Sequence, residues 1–282
     1  MTSLYKQLQN TKIEWEIRCY EDGSDEDNYL LNKEALAQIP NLHHSYFKKN
    51  IGRAAIRNKL AKDAKYTYLL FIDSDMQCEN EGFINEYLKH VNDADAIYGG
   101  LSYMAEKPEN SMLLRWKYGH EREVISVENR NSRPYISLKT CNLFIKKELM
   151  CKCPFDERLK KYGHEDTLHA IALSKMQVKI MHIDNPMQHL GLEETDVFLD
   201  KSKMAMQNLA TMMDRDEQML DEINIVRFYK KIKKMKISNL LLFGFFMAEP
   251  LVIFFLKSPF PFLFFYDIYK LGNLIKACNE KV

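Results

Sequence analysis

At 282 residues the chain is long enough to bury a substantial core, and it is read as one domain with appendages. Hydrophobic residues make up 46% and charged residues 28%, an ordinary globular balance. The formal net charge of +1 argues against an obligate nucleic-acid binder, whose domains carry a clear basic excess. The six cysteines show no C-x-x-C pair and no secretory signal opens the chain, so the thiols are expected to be reduced, in a cytoplasmic protein. Cys151 and Cys153 are too isolated for a zinc site.

In chain order, Ser3 to Gln9 reads as the end of a helix. Ile13 to Tyr20 alternates apolar and charged residues and predicts a strand. Glu21-Asp22-Gly23-Ser24-Asp25 then marks a sharp turn with a helix N-cap after it. Glu34 to Gln38 is expected to be helical and His43 to Phe47 a short extended piece, its histidine pair read as surface or packing residues. Asn50 to Ala61 predicts a helix capped by Asn50, whose Arg53, Arg57 and Lys59 form either a solvated face or, for at least one arginine, a diphosphate contact.

Tyr66 to Ile72 has the β-rich, apolar composition of a strand buried on both faces, as in a parallel sheet. It ends in Asp73-Ser74-Asp75. Strand alternation would aim both carboxylates to one side at the strand's carboxyl end, where open α/β sheets bind ligands. Two such oxygen donors suit a Mg²⁺ or Mn²⁺ that already carries substrate phosphates. The competing reading is a polar turn with Asp75 capping the next helix.

Further on, Glu81 to His90 is expected to be a helix and Asp95 to Leu101 a strand, whose Gly99-Gly100 lets the backbone pass close to something bulky. Leu113 to Glu121 is aromatic and basic, either a substrate-facing loop or an amphipathic helix. Ile136 to Ile145 predicts a strand leading into a helix at Lys146 to Leu149. Phe155-Asp156-Glu157 and Tyr162-Gly163-His164-Glu165-Asp166 follow, with a glycine turn delivering two acids to the first turn of a helix over Thr167 to Met176. After a strand at Val178 to Ile183, His189 falls in a loop.

The ordered set Glu21-Asp22-Gly23-Ser24, Gly52…Arg57-Asn58, Asp73-Ser74-Asp75, Thr140-Cys141-Asn142-Leu143, Phe155-Asp156-Glu157, Gly163-His164-Glu165-Asp166 and His189 closely resembles family 2 glycosyltransferases of the GT-A fold. The resemblance spans roughly residues 1 to 200. It implies an α/β, Rossmann-like, mostly parallel sheet flanked by helices. It also implies metal-dependent, inverting transfer of a sugar from a nucleotide-sugar, expected to be a UDP-sugar, to a glycan or lipid-linked acceptor, with Mn²⁺ or Mg²⁺ as cofactor. Asp166 would be the base with Glu165 beside it, and Asp75 and His189 would ligate the metal. Asp22, Glu21, Arg57 and Asp73 would contact the nucleotide-sugar. Family members open with an apolar strand and a Pro-x-x-Asn-like segment, whereas this chain starts in the helix after it; the expectation is a reading frame extending upstream by one strand.

A dehalogenase-type phosphatase would place Thr or Val two residues after the second Asp, where Gln77 stands, and a sugar nucleotidyltransferase would need a glycine-rich loop near the N-terminus. The non-enzymatic alternative is a catalytically impaired, membrane-bound scaffold.

Residues 1–225 are assigned to the catalytic domain and 226–282 to a basic and apolar membrane-associating tail. Lys230 to Lys236 is a basic run. Ile237 to Ala248, Leu251 to Leu256 and Phe260 to Tyr266 are apolar segments separated by Glu249-Pro250 and Lys257-Ser258-Pro259. None reaches the ~20 residues of a spanning helix, so they are read as short pieces in a membrane interface, with lysines on anionic head groups, or alternatively as a buried hairpin or dimer interface. The expected location is cytoplasmic, peripheral on the inner face of the cell membrane.

Overall fold

The computed structural model describes every residue except 160, 215–217 and 281–282. The chain opens with α1 (Thr2–Gln9), β1 (Ile17–Asp22), α2 (Glu26–Leu36), β2 (Leu42–Phe47) and α3 (Arg53–Asp63). Then come β3 (Tyr68–Ile72), β4 (Met76–Gln77), α4 (Phe83–Lys89), β5 (Ala96–Tyr98), β6 (Leu101–Ser102), α5 (Leu113–Tyr118) and α6 (Val127–Ser132). The second half holds β7 (Asn142–Lys146), α7 (Lys147–Lys152), α8 (Glu165–Lys175), β8 (Ile180–His182) and β9 (Met187–His189). Four helices complete it: α9 (Thr195–Met213), α10 (Asn224–Lys234), α11 (Ser238–Leu256) and α12 (Leu263–Asn279).

The class is α/β with flanking helices, as expected. β1 and β2 pair in parallel, β3-β7-β5-β8 form a second sheet in that order, and β4-β9-β6 a third. The pairs β5–β8 and β6–β9 are parallel, while β7 runs antiparallel between β3 and β5 and β4 antiparallel to β9. β3 therefore differs from the strand expected inside a parallel sheet. Its sheet partner is antiparallel β7, and only Phe71 within it is buried.

Several boundaries move for local reasons. β1 begins at Ile17, where pairing with Leu42 starts, and not at Ile13, which is exposed. Glu16 instead turns aside to accept the Lys65 amide at 2.6 Å. Asp25 caps α2 as expected by accepting the Asn28 amide, but the helix occupies Glu26–Leu36, ahead of the stretch predicted. Asn50 does not cap α3; its amide group donates to the Asp22 carbonyl at 2.8 Å, and Gly52 stands at the cap with φ 94°. β7 is confined to Asn142–Lys146, because Thr140 before it is engaged by the Asp166 side chain. His189 ends a short strand and is not in a loop.

Gly99 sits where three buried polar groups meet. A Cβ there would stand against the Asn185 carbonyl and the Tyr87 hydroxyl, and 2.6 Å from Asn142 Nδ2. Asn142 is fully buried and spends that nitrogen on the carbonyls of Gly100 and Asn185, while its Oδ1 accepts from Tyr87 at 2.6 Å. This knot joins β5, β7 and the 183–186 turn beneath the site. Gly99→Ala is expected to cost about 1–3 kcal/mol by overpacking. Gly244→Ala, in α11 with open space around it, is expected to be neutral or stabilising by about 0.5–1 kcal/mol. Urea titration of the two variants checks the contrast; equal stabilities would contradict it.

Candidate active site

Everything at the carboxyl end of β3 turns on one buried guanidinium. Arg57 projects from α3 and its Nη2 donates to Asp73 Oδ1 at 2.9 Å and Oδ2 at 3.3 Å. Its Nη1 lies 3.3 Å from Asp166 Oδ1 and 3.7 Å from Glu165 Oε1. Burial works against the Arg57 charge, yet Asp166, Asp73 and Glu165 around it hold the guanidinium well above its ordinary value. Arg53, one turn earlier, reaches Glu165 at 3.4 Å and lies over the Tyr162 ring. Arg57 is thus committed to carboxylates, which leaves little of its fork for the diphosphate contact expected of it.

The acids of α8 arrive as the glycine turn predicts. Gly163 (φ 93°) and His164 (φ 67°) both take the left-handed conformation, and α8 starts at Glu165. The Asp166 carboxylate accepts the Thr140 amide at 3.2 Å and the Thr140 hydroxyl. Burial alone would raise the Asp166 carboxyl, but Arg57, Thr140 and Lys139 hold it below the usual range, so it is ionised at neutral pH. Asn58 donates to the Phe155 carbonyl and the Glu157 carboxylate and accepts the Phe155 amide, fastening the 155–157 segment to α3.

Asp73 and Asp75 do not share one side. Regular strand geometry ends at Ile72, and the Met76 amide closes a turn on the Asp73 carbonyl at 3.2 Å. That turn sends Asp73 to Arg57 and Asp75 to the opposite strand pair. There β4 registers Met76 against His189 of β9, and the Leu190 amide donates to the Asp75 carbonyl at 2.8 Å. His189 Nε2 comes to 3.5 Å from Asp75 Oδ2. A side chain on Gly191 would lie 2.6 Å from that same oxygen, so the glycine keeps the carboxylate free to face outward.

These two side chains fit a divalent ion. Ligands about 2.1 Å from one metal in adjacent octahedral positions lie roughly 3 Å apart, close to the spacing found. Burial lowers the His189 imidazole below its ordinary value, so it is neutral and able to ligate. No cluster of three or more His, Cys, Asp or Glu suited to a metal exists among the described residues. The donor set is the short one expected of an ion that takes its other oxygens from substrate phosphates and water.

Behind His189 lies a network that the sequence did not disclose. The Tyr103 ring packs 5.3 Å from the His189 ring. The Tyr103 hydroxyl donates to Glu123 and accepts from Arg115 Nη2 at 2.7 Å, while Arg115 Nη1 donates to Glu123 at 2.9 Å. Burial would raise Glu123, but Arg115 and Lys139 bring it down to about 2. Glu123 ends a π-helical turn, Gly119–Glu123, directly after α5. The aromatic and basic stretch 113–121 is therefore a helix followed by this wide turn. Its composition was the only signal.

The remaining predicted residues have other company. Asp22 accepts the amides of Ile51 at 2.7 Å and Gly52 at 3.1 Å, tying the end of β1 to the start of α3. Glu21 points to the other face of the strand, where Ser24, Asn32 and His44 engage it. The structure does not bring Glu21 to the Arg57 cluster.

The sequence model described as Glycosyl transferase family 2 matches residues 1–155. No curated protein sequence matches the chain significantly. Among solved structures, residues 1–349 of Staphylococcus aureus TarS superpose with a TM-score of 0.52 at 19% identity, covering 99% of this chain and 85% of that one. The same TarS fragment in complex with UDP gives 0.52 at 18% identity, with the same coverage. The mannosyltransferase PcManGT from Pyrobaculum calidifontis, in complex with GDP-Man and Mn²⁺, gives 0.56 at 12% identity over 99% of this chain and 83% of that one. At these identities the likeness establishes the GT-A fold.

Removing the guanidinium should expose what it holds apart. Arg57→Met is expected to lose up to about 3–5 kcal/mol at pH 7, because buried Glu165 and the partly buried Asp73 and Asp166 are left without their partner. In the parent, Asp166 has a lowered pKa, so its contribution is present above the unfolded value and is lost as pH falls through the folded one. In the variant Asp166 loses that stabilisation and titrates higher, so the deficit should shrink between pH 7 and pH 5. Urea unfolding at both pH values reads this; a deficit independent of pH would mean that Arg57 acts by packing alone.

Proposed function

Because the chain belongs to glycosyl transferase family 2, we propose that it moves a sugar from a nucleotide-sugar, by preference a UDP-sugar, onto a hydroxyl of a glycan or lipid-linked acceptor, with Mn²⁺ or Mg²⁺ and inversion at the anomeric carbon. The observation that carries this reading is the β4–β9 pairing, which sets Asp75 against His189 two residues from the carboxylate gathered on Arg57. The UDP complex of the S. aureus protein and the GDP-Man and Mn²⁺ complex of the archaeal one support it.

In this reading Asp75 and His189 hold the divalent ion, which when bound supplies Lewis-acid neutralisation of the diphosphate leaving group. Tyr103 packs on the His189 ring and, fixed by Glu123 and Arg115, limits the orientations the imidazole can take. Asp73, steadied by Arg57, accepts from hydroxyls of the donor's ribose or sugar. Asp22 retains lone pairs beyond its two amide contacts and accepts the uracil N–H. Glu21 ties the 23–25 turn and α2 to the end of β1 through Ser24 and Asn32, without touching the nucleotide.

Asp166 takes the proton of the acceptor hydroxyl. Its pairing with Arg57 keeps it ionised and also makes it a weak base, so proton transfer comes late, with the leaving group already departing. Glu165 orients Arg53 and Arg57 on the same side. The displacement is single and in line, with no covalent enzyme intermediate.

Calorimetry of UDP with Mn²⁺ tests the ion site. Asp75→Ala and His189→Ala should each weaken UDP at least tenfold with metal present and change little without it, since each removes one of two protein ligands. Unchanged affinity in both would remove the metal assignment, and no UDP binding by the parent would leave the scaffold reading. Asp166→Asn should keep UDP-sugar binding and lose transfer by roughly 10²-fold or more, with Glu165→Gln milder. The reverse order would exchange their roles.

A further inference from the structure

α11 carries two apolar faces. One is buried: Phe245, Val252 and Leu256 pack against α12, where Phe245 lies directly on Gly272 and Phe255 stacks on Phe265 at 4.7 Å. The other is open to solvent, with Leu240, Phe243, Met247, Leu251 and Phe254 exposed by 70%, 66%, 73%, 58% and 67%. Their spacing of three, four, four and three residues places them on one continuous stripe of the helix. Phe260, Phe262 and Phe264 extend the stripe past the turn into α12. A helix on the surface of a globular protein turns a polar face outward, and an apolar patch of this extent marks an interaction site.

What flanks the stripe indicates the partner. α10 presents Lys230, Lys231, Lys233 and Lys234 to solvent on one side and buries Val226, Tyr229 and Ile232 on the other, with exposed Lys236 leading into α11. A basic helix leading directly into an apolar, aromatic one matches a bilayer with anionic head groups, to which lysines near its surface are drawn. A protein partner or second copy would have no general need of that charge.

We infer that α11 and the 257–264 turn form a surface that inserts in the plane of an anionic bilayer, holding the catalytic domain on the inner face of the cell membrane. α11 is a single helix of 19 residues through Pro250, long and apolar enough, by length and composition, to cross a membrane. Its attachments oppose crossing. The inner face is fixed to α12, and α12 packs on α9, where the Tyr266 hydroxyl meets Ser202 at 2.6 Å. Lys257, at the end of α11, pairs with Asp196 of α9 at 2.6 Å, and Asp267 pairs with Arg122 at 3.1 Å. The C-terminal end of the stripe is thereby held alongside the catalytic domain, and its N-terminal end is tied to α12, where the Asn279 side-chain amide donates to Asn239 Oδ1 at 3.1 Å. The first two short segments expected from sequence are joined in one continuous helix with one face available, and the third forms the turn and the start of α12.

Flotation of the full chain with vesicles tests the inference. Binding is expected to phosphatidylglycerol–phosphatidylcholine vesicles and to be at least tenfold weaker to pure phosphatidylcholine. Phe243→Ser combined with Met247→Ser should cut binding at least tenfold while leaving UDP affinity unchanged. Lys231, Lys233, Lys234 and Lys236 changed together to Gln should remove the preference for anionic lipid. Failure of the parent to float, or a concentration-dependent dimer abolished by the same serine pair, would overturn the bilayer as partner. Quenching of Phe243→Trp and Phe254→Trp by brominated lipids should report one shared shallow depth. A depth passing through the bilayer centre between them would make α11 a spanning helix and overturn in-plane insertion.

Discussion

A single buried cation, Arg57, allows three carboxylates from distant parts of the chain to occupy one corner of the molecule. Asp73 comes from the end of β3, and Glu165 and Asp166 from the first turn of α8. Without the guanidinium their mutual repulsion in a partly desolvated place would force at least one to protonate or move. With it, Asp166 stays ionised and the positions of the three acids become coupled. α3 carries that cation, and α3 is itself pinned at its start by Asp22 and along its length by Asn58. The geometry of the acid corner therefore depends on contacts spread over residues 22 to 166.

The pairing of Asp75 with His189 depends on a different constraint, the short antiparallel β4–β9 ladder. It sits on the β6–β9 pair, above the knot made by Asn142, Tyr87 and Gly99. Tyr103, Arg115 and Glu123 brace it from behind. The π-helical turn at 119–123 is what aims Glu123 inward, since its wider i→i+5 winding, closed by the Val124 amide on the Gly119 carbonyl at 3.0 Å, displaces the side chain from the track an α-helix would give. The corner on Arg57 and the pair on β4–β9 are separated by only one residue in sequence at Ser74, yet the turn there divides them.

Sequence legibility followed the range of the forces involved. The apolar run of β3, the glycine turn before α8, the Asp25 cap and the acids at strand and helix ends are local features, and they could be read directly. The order of the motifs was specific enough to indicate the family. What resisted was nonlocal. Which acid faces which partner depends on where strand geometry stops, so Asp73 and Asp75 diverge despite their alternation. Arg57 looked like a surface or phosphate-binding residue because its three partners lie up to 109 positions away. Tyr103, Arg115 and Glu123 carried no pattern at all. In the C-terminal region Glu249-Pro250 suggested a break, but α11 continues because packing against α12 offsets one lost helical hydrogen bond.

Together these elements are proposed to make an inverting transferase that uses a metal-bound nucleotide-sugar. The most direct measurement is the anomeric configuration of the first-formed product, followed by proton NMR, when a panel of nucleotide-sugars is incubated with the full chain and Mn²⁺. An α-linked UDP-sugar turned over only with metal, and released first as the β-anomer or β-glycoside, is the result predicted. Release with retained configuration, or turnover that is indifferent to chelation of the metal, would contradict it.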